Sequence, residues 1–144
     1  MNMGVVIKHI DASNEYEDRH SATILHQDHR INAVIFGPFT RVSSLVGTSV
    51  TAEYELTKIA SAELDLPAQD EASGIFEETP DTILIDGTVH LLTHVDDHMT
   101  CIDIYIQNGA DFFAISSDDI ERIPKTGSRI RIRGRGLVVY PTYT

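Results

Sequence analysis

Apolar and polar residues alternate along most of this chain with a period of two, the pattern of strands that bury one face. The clearest run is Cys-Ile-Asp-Ile-Tyr-Ile from Cys101 to Ile106. Asn108-Gly109 follows, a pair suited to a tight hairpin turn in which both residues take positive φ. Asp111 to Ser116 is then the returning strand. A two-residue turn fixes the register, so Tyr105 faces Phe112, Ile104 faces Phe113 and Ile102 faces Ile115. Ile102, Ile104, Phe113 and Ile115 share the core face. Tyr105 and Phe112 stand opposite each other on the other face, near Asp103 and Ala114.

Ser117 to Pro124 carries a capping residue with Glu121 close behind, which predicts one short helical turn stopped by Pro124. Thr126-Gly127 turns the chain into Arg129 to Arg133, where Ile130 and Ile132 point inward and the arginines outward. Gly134 and Gly136 flank Arg135 and predict a bulge or sharp bend. Leu137 to Tyr140 continues the strand and Pro141 ends it. Upstream, Thr82 to Val95 is strand-like, with Asp86-Gly87 as a turn or kink.

The first half repeats this order weakly. A shift of 80 residues pairs Gln27 with Gln107, Ile35 with Ile115, Gly47 with Gly127 and Val50 with Ile130 without a gap. Ala22 to His26 and Ile31 to Phe36 then form a hairpin closed at Asp28-His29. Thr48 to Leu56 puts Val50, Ala52, Tyr54 and Leu56 on one face. Thr57 to Leu66 reads as a short helix, followed by an irregular acidic connection to Asp81. The expectation is one compact, mostly β domain with at most one or two short helices. Two related halves, 4–56 and 83–141, are joined by the acidic connection 57–82. Eight or more short strands suggest a closed or partly open barrel or a sandwich. The C-terminal meander, helical turn and long bent strand resemble the oligonucleotide/oligosaccharide-binding (OB) barrel.

Charge sharpens this picture. The chain of 144 residues carries a net charge of -11. Between Lys58 and Arg122 there are 15 acidic residues and no Lys or Arg; from Glu121 onward there are six basic residues and one acid. Most of such a surface repels nucleic acid and anionic membranes. The alternating Arg129, Arg131, Arg133 and Arg135 are a local exception, or else they pair with the protein's own carboxylates. Cys101 is the one cysteine, which excludes an intrachain disulfide. No apolar run approaches the ~20 residues of a membrane-spanning helix. Met1 to Ile10 lacks the pattern of a secretory signal, so a cytoplasmic location is expected.

Candidate chemistry is sparse. His90, His94 and His98 are spaced by four, but in a strand such residues lie ~13 Å apart, too far to share one ion. No metal or other cofactor is expected. Asp96-Asp97 and Asp118-Asp119 read as turn residues that bond local backbone. No phosphate loop, nucleophile elbow or dinucleotide fingerprint is present. A small metal-dependent hydrolase around the three histidines is the least favoured reading. The favoured one is a non-catalytic protein that binds a basic protein surface through its acidic one, of the inhibitor, immunity or accessory-subunit type. The alternative is an OB-like binder of single-stranded nucleic acid or carbohydrate. It would use Tyr105 and Phe112 as a stacking platform and the Arg129–Arg135 strand, Arg131 and Arg133 above all, as its cationic flank. Homo-oligomerisation is compatible with either.

Overall fold

The structure is a computed structural model, and it describes residues 5–11, 18–26, 29–67, 74–80, 82–106 and 111–142, without the side chains of 106 and 111. The expected Asn108-Gly109 turn lies outside the described residues. The chain is mostly strand: β1 (Val5–Ile10), β2 (Arg19–His26), β3 (His29–Phe36), α1 (Phe39–Ser43), β4 (Ser49–Val50), β5 (Ala52–Leu66), β6 (Gly74–Thr79), β7 (Thr82–His94), β8 (Thr100–Ile106), β9 (Asp111–Ser116), a single 3-10 turn (Ser117–Asp119) and β10 (Arg129–Pro141).

The strands join in the order β4-β1-β2-β3-β10-β5-β9-β8-β7-β6, and a further pairing of β10 with β7 closes a ring. That ring, β10-β5-β9-β8-β7, is a five-stranded barrel. Every contact in it is antiparallel except β5 with β9. Ile102, Ile104 and Phe113 are fully buried inside it, Ile115 nearly so, as period-two alternation requires. Ile130 and Ile132 join them from β10. The β8–β9 register is Tyr105 opposite Phe112, Ile104 opposite Phe113 and Ile102 opposite Ile115.

Strands β1, β2 and β3 form a second meander, and β10 runs parallel to β3 at Val138 and Val139. β4 pairs with β1, and across Thr51 it leads straight into β5, which pairs with β10. A second ring therefore closes through the chain itself. In both halves a three-stranded meander is followed by a helical turn and a strand that returns beside the meander's first strand. Gly47 and Gly127 both take φ of +86°. The amide of Gly47 donates to Ile7 O and that of Gly127 to Val89 O, each at 2.7 Å. Thr48 Oγ1 donates to Leu45 O at 2.6 Å, and Ser128 Oγ to Lys125 O at 2.5 Å.

Five local expectations are corrected. Thr57 to Leu66 is not helical; it is the second part of β5. Gly134 pairs with Ile59 but Arg133 with Ser61, so Ala60 is an extra residue, a bulge. The bulge shifts the phase of alternation, so Leu56, Ile59 and Ala62 recur at the three-residue spacing that imitates a helix. The acidic connection is not all irregular: Gly74–Thr79 is β6, paired with β7. Asp86-Gly87 neither turns nor breaks the chain but lies within β7, where a Cβ on Gly87 would sit 2.3 Å from Tyr105 O. The first hairpin pairs His26 with His29, so His29 already belongs to β3 rather than to the expected closure at Asp28-His29; positions 27–28 lie outside the described residues. The 3-10 turn is capped by Ser116 Oγ, which accepts from the Asp118 amide, and the chain is already extended at Ile120, before Pro124.

Candidate functional site

Period-two alternation sends Tyr105 of β8 and Phe112 of β9 to the outside of the C-terminal barrel. Both are half-buried. Their ring centroids are 4.6 Å apart, with planes 53° from parallel. His90 of β7 completes the cluster, its ring 3.8 Å from that of Tyr105 and 6.4 Å from that of Phe112. His90 Nε2 lies 2.8 Å from the Tyr105 hydroxyl. Thr88 pairs with Tyr105 and Val89 with Ile104, but the next pair is Leu91 with Asp103, so His90 is an extra, bulged residue. Nothing in the local sequence marks that bulge, so alternation alone did not group His90 with the aromatics. The other histidines have separate local roles. His94 Nδ1 is 2.9 Å from Thr100 Oγ1, and the amide of His98 donates to Asp96 Oδ1 at 2.7 Å. Among the described residues no three His, Cys, Asp or Glu side chains are grouped as an ion would need.

Arg131 and Arg133 do not flank the aromatics. β10 pairs with β7 and β5, and these two strands separate it from β8 and β9. Nor do the arginines all point to solvent. Arg129 is 8% exposed and Asp86 4%. Arg129 Nε donates to Asp86 Oδ1 at 2.8 Å and its Nη2 to Oδ2 at 2.6 Å, the fork-to-fork geometry of a strong pair. Arg131 adds two longer bonds to Asp86 Oδ2, from Nη2 at 3.2 Å and from Nε at 3.3 Å. Arg133 donates to Glu63 and Glu78, each at 2.8 Å, and these two carboxylates, Glu63 foremost, push its pKa up. Arg122 bonds Asp65, which also accepts from the Lys125 amide at 2.9 Å. The Lys125 amide and then the Arg122 guanidinium hold the Asp65 carboxyl down at about 2. Arg135 is exposed and borders a groove of about 400 Å³ beside Asn32, Ile83 and Leu137.

Two carboxylates, Glu53 and Asp103, stand beside the aromatic cluster. Glu53 of β5 is the register neighbour of Phe112 and is exposed. Asp103 Oδ1 accepts from Cys101 Sγ at 3.9 Å. The Cys101 thiol is pushed up by burial first, then by Asp103 and Glu53. β5 pairs with β9 only at Glu53 and Tyr54. Beyond that point a groove of about 540 Å³ is lined by Glu55, Thr57, Lys58, Cys101, Ala114 and Asp119, among others. Among the described residues no Lys or Arg is ion-paired with Glu53, Asp103, Asp118 or Asp119. No protein-family model, curated protein or solved structure matches this chain. No helix among the described residues is long and apolar enough to cross a membrane.

Proposed function

We propose that this is a non-catalytic binding protein whose partner is a protein with a basic surface. One observation carries the reading: three of the four arginines of β10 are ion-paired within the molecule, Arg135 being the exception, while Glu53 and Asp103 on the outer barrel face pair with no Lys or Arg among the described residues. Arg129, Arg131 and Arg133 are engaged by Asp86, Glu63 and Glu78. Glu53 and Asp103 stay beside half-exposed aromatic rings. A surface of one sign accelerates encounter with an oppositely charged partner and fixes its orientation. An inhibitor, an immunity protein or an accessory subunit has this need.

A second reading has a specific observation behind it. The meander β7-β8-β9, the 3-10 turn and β10 lie in the order of an OB-like barrel, with β5 as a fifth strand drawn from earlier in the chain. Tyr105 and Phe112 lie on the outer face of that meander, where such barrels stack bases or sugars. The carboxylates beside them oppose a polyanion. The shared turn geometry at Gly47 and Gly127 further supports an origin of the two halves by duplication.

Affinity capture from native lysate, washed first at low and then at high salt and read by mass spectrometry, separates the readings. The expected result is a basic protein that salt releases and that Glu53→Gln with Asp103→Asn fails to retain. Nucleic acid retained by the native protein and lost with Tyr105→Ala would favour the second reading instead.

A further inference from the structure

Cross-strand neighbours on one face of a sheet point the same way, and here they compose a row that runs through the seam between the two rings. Arg19 pairs with Phe36. The Phe36 and Tyr140 rings are 5.4 Å apart. Tyr140 pairs with Glu53, Glu53 with Phe112, and Phe112 with Tyr105. Glu53 thus has an aromatic residue on the neighbouring strand at either side. Each of the two is buttressed from behind. Phe36 packs on Tyr140, whose hydroxyl donates to Glu55 Oε2 at 3.2 Å. Tyr105 packs on Phe112, and His90 on Tyr105. Glu53 accepts no ion pair among the described residues. Adjacent strands are ~4.8 Å apart, so the backbones that carry Tyr140 and Phe112 stand roughly 10 Å apart across Glu53.

We propose that Tyr140, Glu53 and Phe112 form a slot that takes one arginine side chain of the protein partner. A cation held at Glu53 lies between two neighbouring strands that each carry an aromatic residue at that register position, and a ring face attracts positive charge within ~6 Å. A planar guanidinium stacks on the rings and meets the carboxylate with its N–H groups, which a compact ammonium does less well. Glu55 and Asp103 add negative potential at the two sides; Arg19, which pairs with Phe36, is a cation whose charge reaches the Tyr140 hydroxyl. A nucleic-acid phosphate brought to the same place would meet Glu53 directly. This slot rests on the protein-binding reading above and names the group that the acidic face receives.

Titration of the isotope-labelled full-length protein with N-acetyl-arginine methylamide, followed by NMR, tests it. Shifts are expected to concentrate at Glu53, Phe112 and Tyr140, with the uncharged citrulline analogue at least tenfold weaker and the lysine analogue weaker than arginine. Glu53→Gln, a change at an exposed position, should weaken the arginine probe at least fivefold while leaving the spectrum folded. Phe112→Ala and Tyr140→Ala should each do the same. Shifts as large at Asp96-Asp97 and Asp118-Asp119 as at Glu53 would overturn the slot. A twenty-residue oligolysine, titrated in parallel, keeps the two levels apart. If it binds through those other acidic turns, only the slot fails. If it does not bind even at low salt, the protein-binding reading fails as well.

Discussion

Asp86 is the residue on which most of the neutralised charge depends. It sits buried between two arginines, and its loss would take the forked carboxylate from Arg129 while that guanidinium stays buried. Removing one member of a buried pair costs about 3–5 kcal/mol. Asp86→Ala is therefore expected to lose about that much in urea unfolding, whereas Arg131→Ala, a half-exposed change, should cost ~1 kcal/mol or less. Equal losses would contradict the assignment of Arg129 as the buried partner. The Asp65 carboxyl, lowered from 3.8 to about 2, gives a pH dependence of known sign. A depressed carboxylate contributes stability above its unfolded pKa and loses it as pH falls through the folded one. The gap in urea midpoint between the native protein and Asp65→Asn should thus be widest above pH 4 and shrink toward pH 2. Cys101, with its thiol pushed up, should be alkylated by iodoacetamide more slowly at pH 8 than an unstructured cysteine peptide, and faster after Asp103→Asn. At this scale the sequence made the Tyr105–Phe112 contact readable, because alternation and a short hairpin determine it. It did not make the arginine partners readable. Asp86 lies 43 positions from Arg129, and only the barrel's closure brings them together.

Elements whose partner is the next strand were legible: β8 with β9, and β2 with β3. β5 was not. Its alternation slips at Ala60, and its Ala, Glu, Lys and Leu content suits a helix in isolation. What holds it extended is β10, which pairs with it from Ala52 to Leu66. Gly134 is the point of closest approach, where an added Cβ would lie 2.2 Å from Lys58 O. Gly134→Ala should therefore destabilise by about 1–3 kcal/mol, the range for overpacking. Gly47 and Gly127 are a matched pair for comparison. Both have positive φ with open space around them. Ala at either should cost about 1–2 kcal/mol through backbone strain alone. Similar losses in thermal unfolding would extend the correspondence between the halves from geometry to energetics, and a loss at only one would break it.

As a whole molecule, the protein is two rings that lend each other a strand. β5 completes the C-terminal barrel and β10 completes the N-terminal ring, so neither ring is whole without the other half. A fragment of residues 82–144 should lack native circular dichroism alone and regain it with residues 1–81, while the intact chain unfolds in one transition. The same interlocking explains how one face can run from Phe36 to Tyr105 through residues far apart in sequence, which no local pattern discloses. Charge counting made the acid-rich stretch from Glu63 to Glu121 legible, and it offered the pairing of the arginine strand with the protein's own carboxylates; Glu53, Glu55 and Tyr140 on one face with Phe112, and which carboxylate meets which arginine, were not legible. The most direct measurement on the function is a paired titration at physiological salt, of oligolysine and of single-stranded dT20, followed by fluorescence anisotropy. The expected result is salt-sensitive binding of oligolysine, weakened by Glu53→Gln, and no detectable binding of dT20. Micromolar binding of dT20 that Phe112→Ala abolishes would contradict it.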